Sequence, residues 1–299
     1  MSALRDTAAD LFKAASRSPN YVRRFGLPHG LRLLGQIERG RGESPRIRRY
    51  RVPGFAAPIY LRDSLADHSM FWQCLVRCQY DFRRFPQSER LFARYRESVR
   101  RGTRPLIIDC GGNIGLATVW LATQFPDARV CTIEPERKNL EVLAMNVQSF
   151  GDRVTVLEGG VWSEKGELRI ANPEAGSASF RVVTGSHAND SIRAYTIDEI
   201  CLMAGAEAPF IVKIDIEGAQ ASLFRSNTDW VGRAHLISLE LDDWLLPWQG
   251  TSRNFFACIS RYPFDYLLGG ENLICFRDVE AMQDSGASVR GTALVTGSA

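Results

Sequence analysis

From Pro105 onward the chain alternates apolar strand-like runs with helical patterns, and this alternation restricts the fold more than any other feature. "PLIID" reads as a strand, 113–124 as a helix, "RVCTIE" as a strand, 136–149 as a helix and "VTVLE" as a strand. Parallel strands must be joined by a crossover, usually a helix, so a βαβαβ run predicts a parallel sheet with helices on both faces. After an insertion in which "GELRIAN" and "SASFRVV" read as paired strands, "SIRAYTIDEI" leads back to the sheet. There "FIVKIDIEGAQ" opens with a strand over Phe210 to Asp215, "AHLISLEL" is a fifth core strand, and 251–261 is a helix. "FDYLLGGENLICF" places two strands around a Gly-Gly turn, predicting an antiparallel hairpin that closes the sheet.

The segment before this pattern reads differently. Residues 3–37 form two amphipathic helices broken at "GLPHG", "GRGESPR" is a linker, and "RIRRYRVPGFAAPIYLR" holds two strand-like runs around a Pro-Gly turn. Residues 66–100 return to a helical pattern with Phe71, Leu75 and Tyr80 among charged positions. The expected organisation is an accessory or lid region over 1–100, an α/β domain over 101–280, and a disordered tail over 281–299, which is rich in Gly, Ser and Ala.

At 299 residues and 45% hydrophobic content the chain can bury a substantial core. It contains no apolar stretch near the roughly 18 residues of a membrane span and no signal-like segment, so a cytoplasmic protein is expected. The seven cysteines include Cys110, Cys131 and Cys275 inside apolar runs, where they act as small hydrophobes, and no disulfides are expected. The net charge of +3 conceals an asymmetry: residues 1–54 hold twelve basic and four acidic residues, a local +8 that can attract a polyanion or simply form a solvated face.

Chemistry concentrates in three places. "LIIDCGGNIGLATVW" is a strand ending in Asp109, a glycine turn and a helix, and the ligands of open parallel sheets bind at such strand ends. Cys110 stands where a dinucleotide fingerprint needs its first glycine, and Leu116 follows Gly115 where a P-loop needs lysine, so both phosphate-binding readings fail. The next strand ends in Glu134, whose two oxygens can accept both hydroxyls of a ribose. Finally, Lys213, Asp215 and Glu217 alternate along a strand and so share one face, an arrangement a purely structural strand rarely shows.

Asp109, Gly111, Asn113 and Gly115 resemble the Asp-x-Gly-x-Asn-x-Gly motif of Rossmann-like S-adenosylmethionine methyltransferases. Taken in order, "DCGGNIG", "IEPERKNLEVLAMN" and "VKIDIEGAQ", with "LRDSLADHSMFWQCLVRCQYDF" upstream, resemble the FkbM family of methyltransferases over roughly residues 50–245. Gly112 stands where that family often has Ala, and Gln220 where it often has Glu.

The resemblance implies a class I methyltransferase fold with an antiparallel C-terminal hairpin and a donor crevice lined by Asp109, Gly111, Gly112, Asn113, Gly115 and Glu134. Gly160 and Trp162 of "LEGGVW" are expected at the adenine, since the acid that related enzymes carry there is missing. It also implies a lid over residues 66–85 with Tyr80 near the crevice. Asp215 and Glu217 would emerge beside the donor's methyl group, where a carboxylate can take the proton of an acceptor hydroxyl, and Lys213 would hold Asp215 ionised or fix the strand's register. Glu240, Asp242 and Asp243 of "SLELDDW" lie at the same sheet edge, and Asp215 with Glu240 could hold Mg²⁺.

The implied activity is O-methylation of a sugar, glycan or secondary metabolite. Two alternatives stay open: a nucleic-acid modifying or binding protein using the basic arm, and a non-catalytic donor-binding module. Amino-methylating enzymes acting on bases carry Asn/Asp-Pro-Pro-aromatic where this chain has "DIEGA", and radical chemistry needs three close cysteines where "CLVRCQYD" has two. None of His29, His68, His187 and His235 pairs at metal-ligand spacing, and His187, in the polar insertion, is the one placed to touch substrate.

Overall fold

The computed structural model describes residues 2–38, 44–170, 182–184 and 191–278. Its central sheet has seven strands, numbered in chain order: β1 (Leu106–Cys110), β2 (Arg129–Glu134), β3 (Val154–Glu158), β4 (Ile211–Ile214), β5 (Leu236–Glu240), β6 (Phe264–Gly269) and β7 (Asn272–Arg277). They lie in the order β3-β2-β1-β4-β5-β7-β6, all parallel except β7, which runs antiparallel to β5 and β6. This is the Rossmann-like class I methyltransferase arrangement. The chain leaves β1 toward one edge and returns at β4 toward the other, so a crevice opens between the carboxyl ends of β1 and β4.

Both faces of the sheet are covered, which is why its strands read as continuous apolar runs rather than alternating ones. On one face Ile107 and Ile211 pack with the helices Leu116–Gln124 and Arg137–Val147. On the other, Ile108, Val212 and Ile237 pack with Ile197–Met203 and Arg253–Ile259. Two expected boundaries move. The first of these helices begins at Leu116 rather than 113 because Asn113 takes a left-handed φ of 48° and Gly115 caps the helix. Strand β4 ends at Ile214, and Glu217, with φ 50°, belongs to the turn beyond it rather than to a strand face.

The upstream residues form helices Ser2–Phe25 and Leu27–Ile37, a hairpin of Ser44–Tyr50 with Ile59–Asp63, a helix Leu65–Phe71 continuing into a π turn Trp72–Val76, and a helix Ser88–Arg100. Tyr21, Leu33, Leu61, Phe71 and Leu75 are buried in the same core as Ile107 and Trp120, so packing continues across residue 100. In the insertion, Gly166–Ile170 pairs antiparallel with Val182–Thr184 beside Ile192–Tyr195 and Gly160–Val161. His187, the tail from 281 and most of the expected linker lie outside the described residues. Among the described residues no helix is long and apolar enough to cross a membrane.

Candidate active site

The crevice is a cavity of about 280 Å³, bounded by Gly111, Asn113, Glu134, Asp215, Glu217 and Glu240 among others. Gly111 lets the β1 turn meet the end of β4. A Cβ on it would lie 1.9 Å from the Asp215 carbonyl oxygen, and its φ of +81° already disfavours any side chain. Gly112 is needed for space: a Cβ there would lie 2.2 Å from Thr132 Oγ1. Gly111→Ala is therefore expected to cost roughly 2–4 kcal/mol, combining backbone strain with overpacking. Urea denaturation measures it, and a wild-type midpoint would contradict the close approach.

Glu134, at the end of β2, is buried yet borders the cavity. The Asn113 amide donates to Oε2 at 2.8 Å, while the Glu136 amide and Asn139 Nδ2 each donate to Oε1 at 3.1 Å. Burial nevertheless pushes the carboxyl up to about 7, with these donors acting the other way. Both lone pairs of Oε1 and one of Oε2 are thus used, which leaves one acceptor site, on Oε2, for a hydroxyl from the cavity.

Lys213 is positioned by the sheet register. It lies directly opposite Asp109 in the parallel β4–β1 pair, and both project toward the face that packs the upstream helices. Its Nζ is 3.0 Å from Asp109 Oδ1 and 3.5 Å from Asp215 Oδ2, and it donates to the Gly111 carbonyl at 2.6 Å. Lys213 is 1% exposed and Asp109 0%, and Thr118 Oγ1 donates to the other Asp109 oxygen at 2.6 Å. Burial draws the ammonium's pKa down, but Asp109, Tyr80 and Asp215 outweigh it and hold the group well above its ordinary value. Lys213 thus ties together the end of β1, the glycine turn and Asp215. Its closer carboxylate is Asp109; the contacts expected from the sequence, with Asp215 and with neighbouring backbone, are present as well.

Beyond β4 the turn is latched to the end of β5. The Gly218 amide donates to Asp242 Oδ2 at 2.6 Å, and Gln220 Nε2 donates to the Glu240 carbonyl at 3.0 Å. The amide at 220 supplies a donor that an ionised Glu could not. Burial, then Asp215, Glu271, Asp242 and Glu217, push Glu240 up to about 8, and burial, with Asp215 and Asp243 adding to it, leaves Asp242 at about 6. Asp215 and Glu240 both border the cavity, but among the described residues no three His, Cys, Asp or Glu side chains gather as a metal site.

Several expected residues lie elsewhere. Asp109 is sealed beneath the cavity by its ion pair. Trp162 does not border the cavity, because it packs on Leu168 and Ala194 of the insertion and on Ala219 in the turn beyond β4; Gly159, Gly160 and Val161 border it instead. Tyr80 is buried, with its ring centroid 6.0 Å from Lys213 Nζ, and does not line the cavity. Of the expected lid, Ala66, Ser69, Met70 and Gln73 form the cavity wall, while Phe71, Cys74 and Leu75 anchor the segment in the core. Sequence reasoning missed Asn139, Glu271 and Trp244. Asn139 was visible as a polar residue opening the helix after Glu134, and Trp244 as the aromatic after "LDD", whereas Glu271 reaches the cavity only through the β6–β7 turn.

No family model and no curated protein matches the chain. Among solved structures it is similar to monomeric WbdD (13% identity, TM-score 0.35, covering 64% of this chain and 41% of that one). It is also similar to a precorrin-6y C5,15-methyltransferase from Geobacter metallireducens (12% identity, TM-score 0.33, 58% of this chain and 80% of that one). A methyltransferase from Geobacter sulfurreducens gives 18% identity and a TM-score of 0.32 over 65% of this chain and 80% of that one. The chain thus spans about two-fifths of the first of these proteins. Likenesses this low carry no weight for what the site does.

Proposed function

We propose that this chain is an S-adenosylmethionine-dependent O-methyltransferase acting on a hydroxyl of a sugar, glycan or secondary metabolite. The observation that carries the reading is one cavity with a ribose-competent carboxylate, Glu134, beside the β2 end, the carboxylates Asp215 and Glu217 at the β4 end, and the Gly111 turn between them. Among the described residues five carboxylates border the cavity (Glu134, Asp215, Glu217, Glu240 and Glu271) and no Lys or Arg does, a lining that suits a donor carrying a sulfonium and an ammonium. The sequence resemblance to the FkbM family supports the same reading.

When bound, S-adenosylmethionine supplies an electrophilic methyl on sulfur. The residues of this chain do the rest. Glu134 would accept a ribose hydroxyl at Oε2, and Ile133, Pro135 and Gly159 to Val161 would form the wall for the adenine. Asp215, held by Lys213, takes the proton of the acceptor hydroxyl as the oxygen attacks in line, and alignment in the cavity supplies much of the rate. Trp244, 72% exposed at the cavity rim, offers a flat apolar face to a sugar ring. A nucleic-acid acceptor fits less well, since its phosphates would meet this carboxylate lining.

The donor's dependence on pH tests the reading. Glu134 accepts a ribose hydroxyl best when ionised and its carboxyl sits near 7, so affinity should rise with pH through that value. The dissociation constant for S-adenosylhomocysteine is expected to be about tenfold weaker at pH 6 than at pH 8. Calorimetry on wild type and Glu134→Ala checks this. The variant should lose about 10- to 150-fold in affinity, equivalent to about 1.5–3 kcal/mol, and lose the pH dependence. Wild-type affinity in the variant would remove Glu134 from the donor site.

A further inference from the structure

The acidic cavity does not end at its own wall. Ser69, Gln73 and Glu271 also border a second groove of about 350 Å³, so the two hollows adjoin along these three residues. Gln73 Nε2 donates to Glu271 Oε2 at 3.3 Å across the boundary, joining the π turn to the β6–β7 turn. The second groove has the opposite charge. Arg17, Arg77 and Arg84 line it together with Trp72, and Glu271, on the shared boundary, is its one carboxylate among the described residues.

The three guanidiniums are not equally engaged. Arg17 Nη1 donates to both Glu38 oxygens at 3.0 Å and the guanidinium lies 4.4 Å over the Trp72 ring, so it forms a fixed, largely neutralised wall. Among the described residues Arg84 donates to the Gln79 carbonyl alone, at 3.3 Å, lies 4.8 Å from the Phe85 ring centroid, and rests against Gly269, where a Cβ would lie 2.6 Å from its Nη2. Arg77 is exposed, and its guanidinium makes no hydrogen bond or ion pair among the described residues. Two cationic forks with unused donors therefore face a hollow that opens onto the carboxylates of the donor cavity. Such forks match the paired oxygens of a carboxylate or phosphate.

We infer that the second groove is an acceptor subsite for an anionic group, so that the methylated molecule is a polyhydroxyl compound bearing a carboxylate or phosphate ester. Its anion is held by Arg77 and Arg84 while its hydroxyl reaches Asp215. This rests on the donor reading above for the identity of the reaction, but the anion site stands on the groove alone. The charge layout also orients the acceptor: the anion is repelled from the cavity and drawn to the groove, which leaves the uncharged end at the methyl group.

The test titrates glucuronic acid, glucose 6-phosphate and glucose into the full chain saturated with S-adenosylhomocysteine. At least one of the two anionic sugars is expected to bind tenfold or more tightly than glucose. An advantage for the uronate alone assigns a carboxylate, and for the phosphate alone a phosphate ester. Arg77→Gln with Arg84→Gln should abolish the advantage without changing S-adenosylhomocysteine affinity, and both side chains are exposed, so the fold tolerates the change. Equal binding of all three sugars, binding of none, or a double variant that keeps the preference would overturn the inference. If wild type does not bind S-adenosylhomocysteine but still prefers an anionic sugar, the donor reading fails and the anion site stands.

Discussion

Lys213→Met is expected to destabilise the protein by about 3–5 kcal/mol, the usual cost of leaving one member of a buried ion pair without its partner. Methionine fills nearly the same volume, so the loss isolates the charge. Without the ammonium, Asp109 keeps one bond from Thr118 but has no cation, and the Gly111 carbonyl loses its 2.6 Å donor. Adding Asp109→Asn should recover most of the loss, because the amide can still accept from Thr118 and no buried charge remains. Urea denaturation of wild type and both variants measures the effect. A loss below about 1 kcal/mol in the single variant, or no recovery in the double, would show that the pair is not the structural joint between β1 and β4.

Asp215→Asn should behave in the opposite way: a near-normal melt with methyl transfer reduced by about 10²-fold or more. The geometry separates the two carboxylates that Lys213 touches. Asp109 is fully buried at 3.0 Å, while Asp215 is 24% exposed at 3.5 Å and faces the cavity, so Lys213 remains neutralised when Asp215 becomes an amide. Asparagine keeps the shape and cannot take a proton. Turnover and melting temperature belong on the same preparation, because a variant that melts early would point to architecture, and one with wild-type turnover would exclude Asp215 as the base.

Much of the sheet could be read from the chain because its local signals agree with its tertiary role. "RVCTIE" and "VTVLE" coincide with β2 and β3 residue for residue, since each β-prone run is bounded by turn residues; β2 is buried in place, and β3, at the sheet edge, buries Leu157. The Gly-Gly hairpin forms β6 and β7 as its pattern predicts. What depended on contacts between distant segments was less visible. The Lys213–Asp109 pair follows from the β4–β1 register, and no spacing within either strand encodes it. Trp162 looked available to a ligand because "LEGGVW" lacks the acid that related enzymes place at the adenine, yet Leu168, Ala194 and Ala219 claim it. The upstream residues read as an accessory region because their charge and composition differ, although Tyr21, Leu33 and Phe71 complete the core over one sheet face. The Arg groove was hidden for the same reason: its residues come from the first helix, the π turn and the segment after it, and they meet only when these fold against the β6–β7 turn.

A crystal structure with S-adenosylhomocysteine decides whether the crevice between β1 and β4 is a methyl-donor site. A ribose hydroxyl is expected within hydrogen-bond distance of Glu134 Oε2, the adenine against Gly159 to Val161, and the sulfur facing Asp215. A ligand bound elsewhere, or bound in this cavity with its ribose away from Glu134, would contradict it.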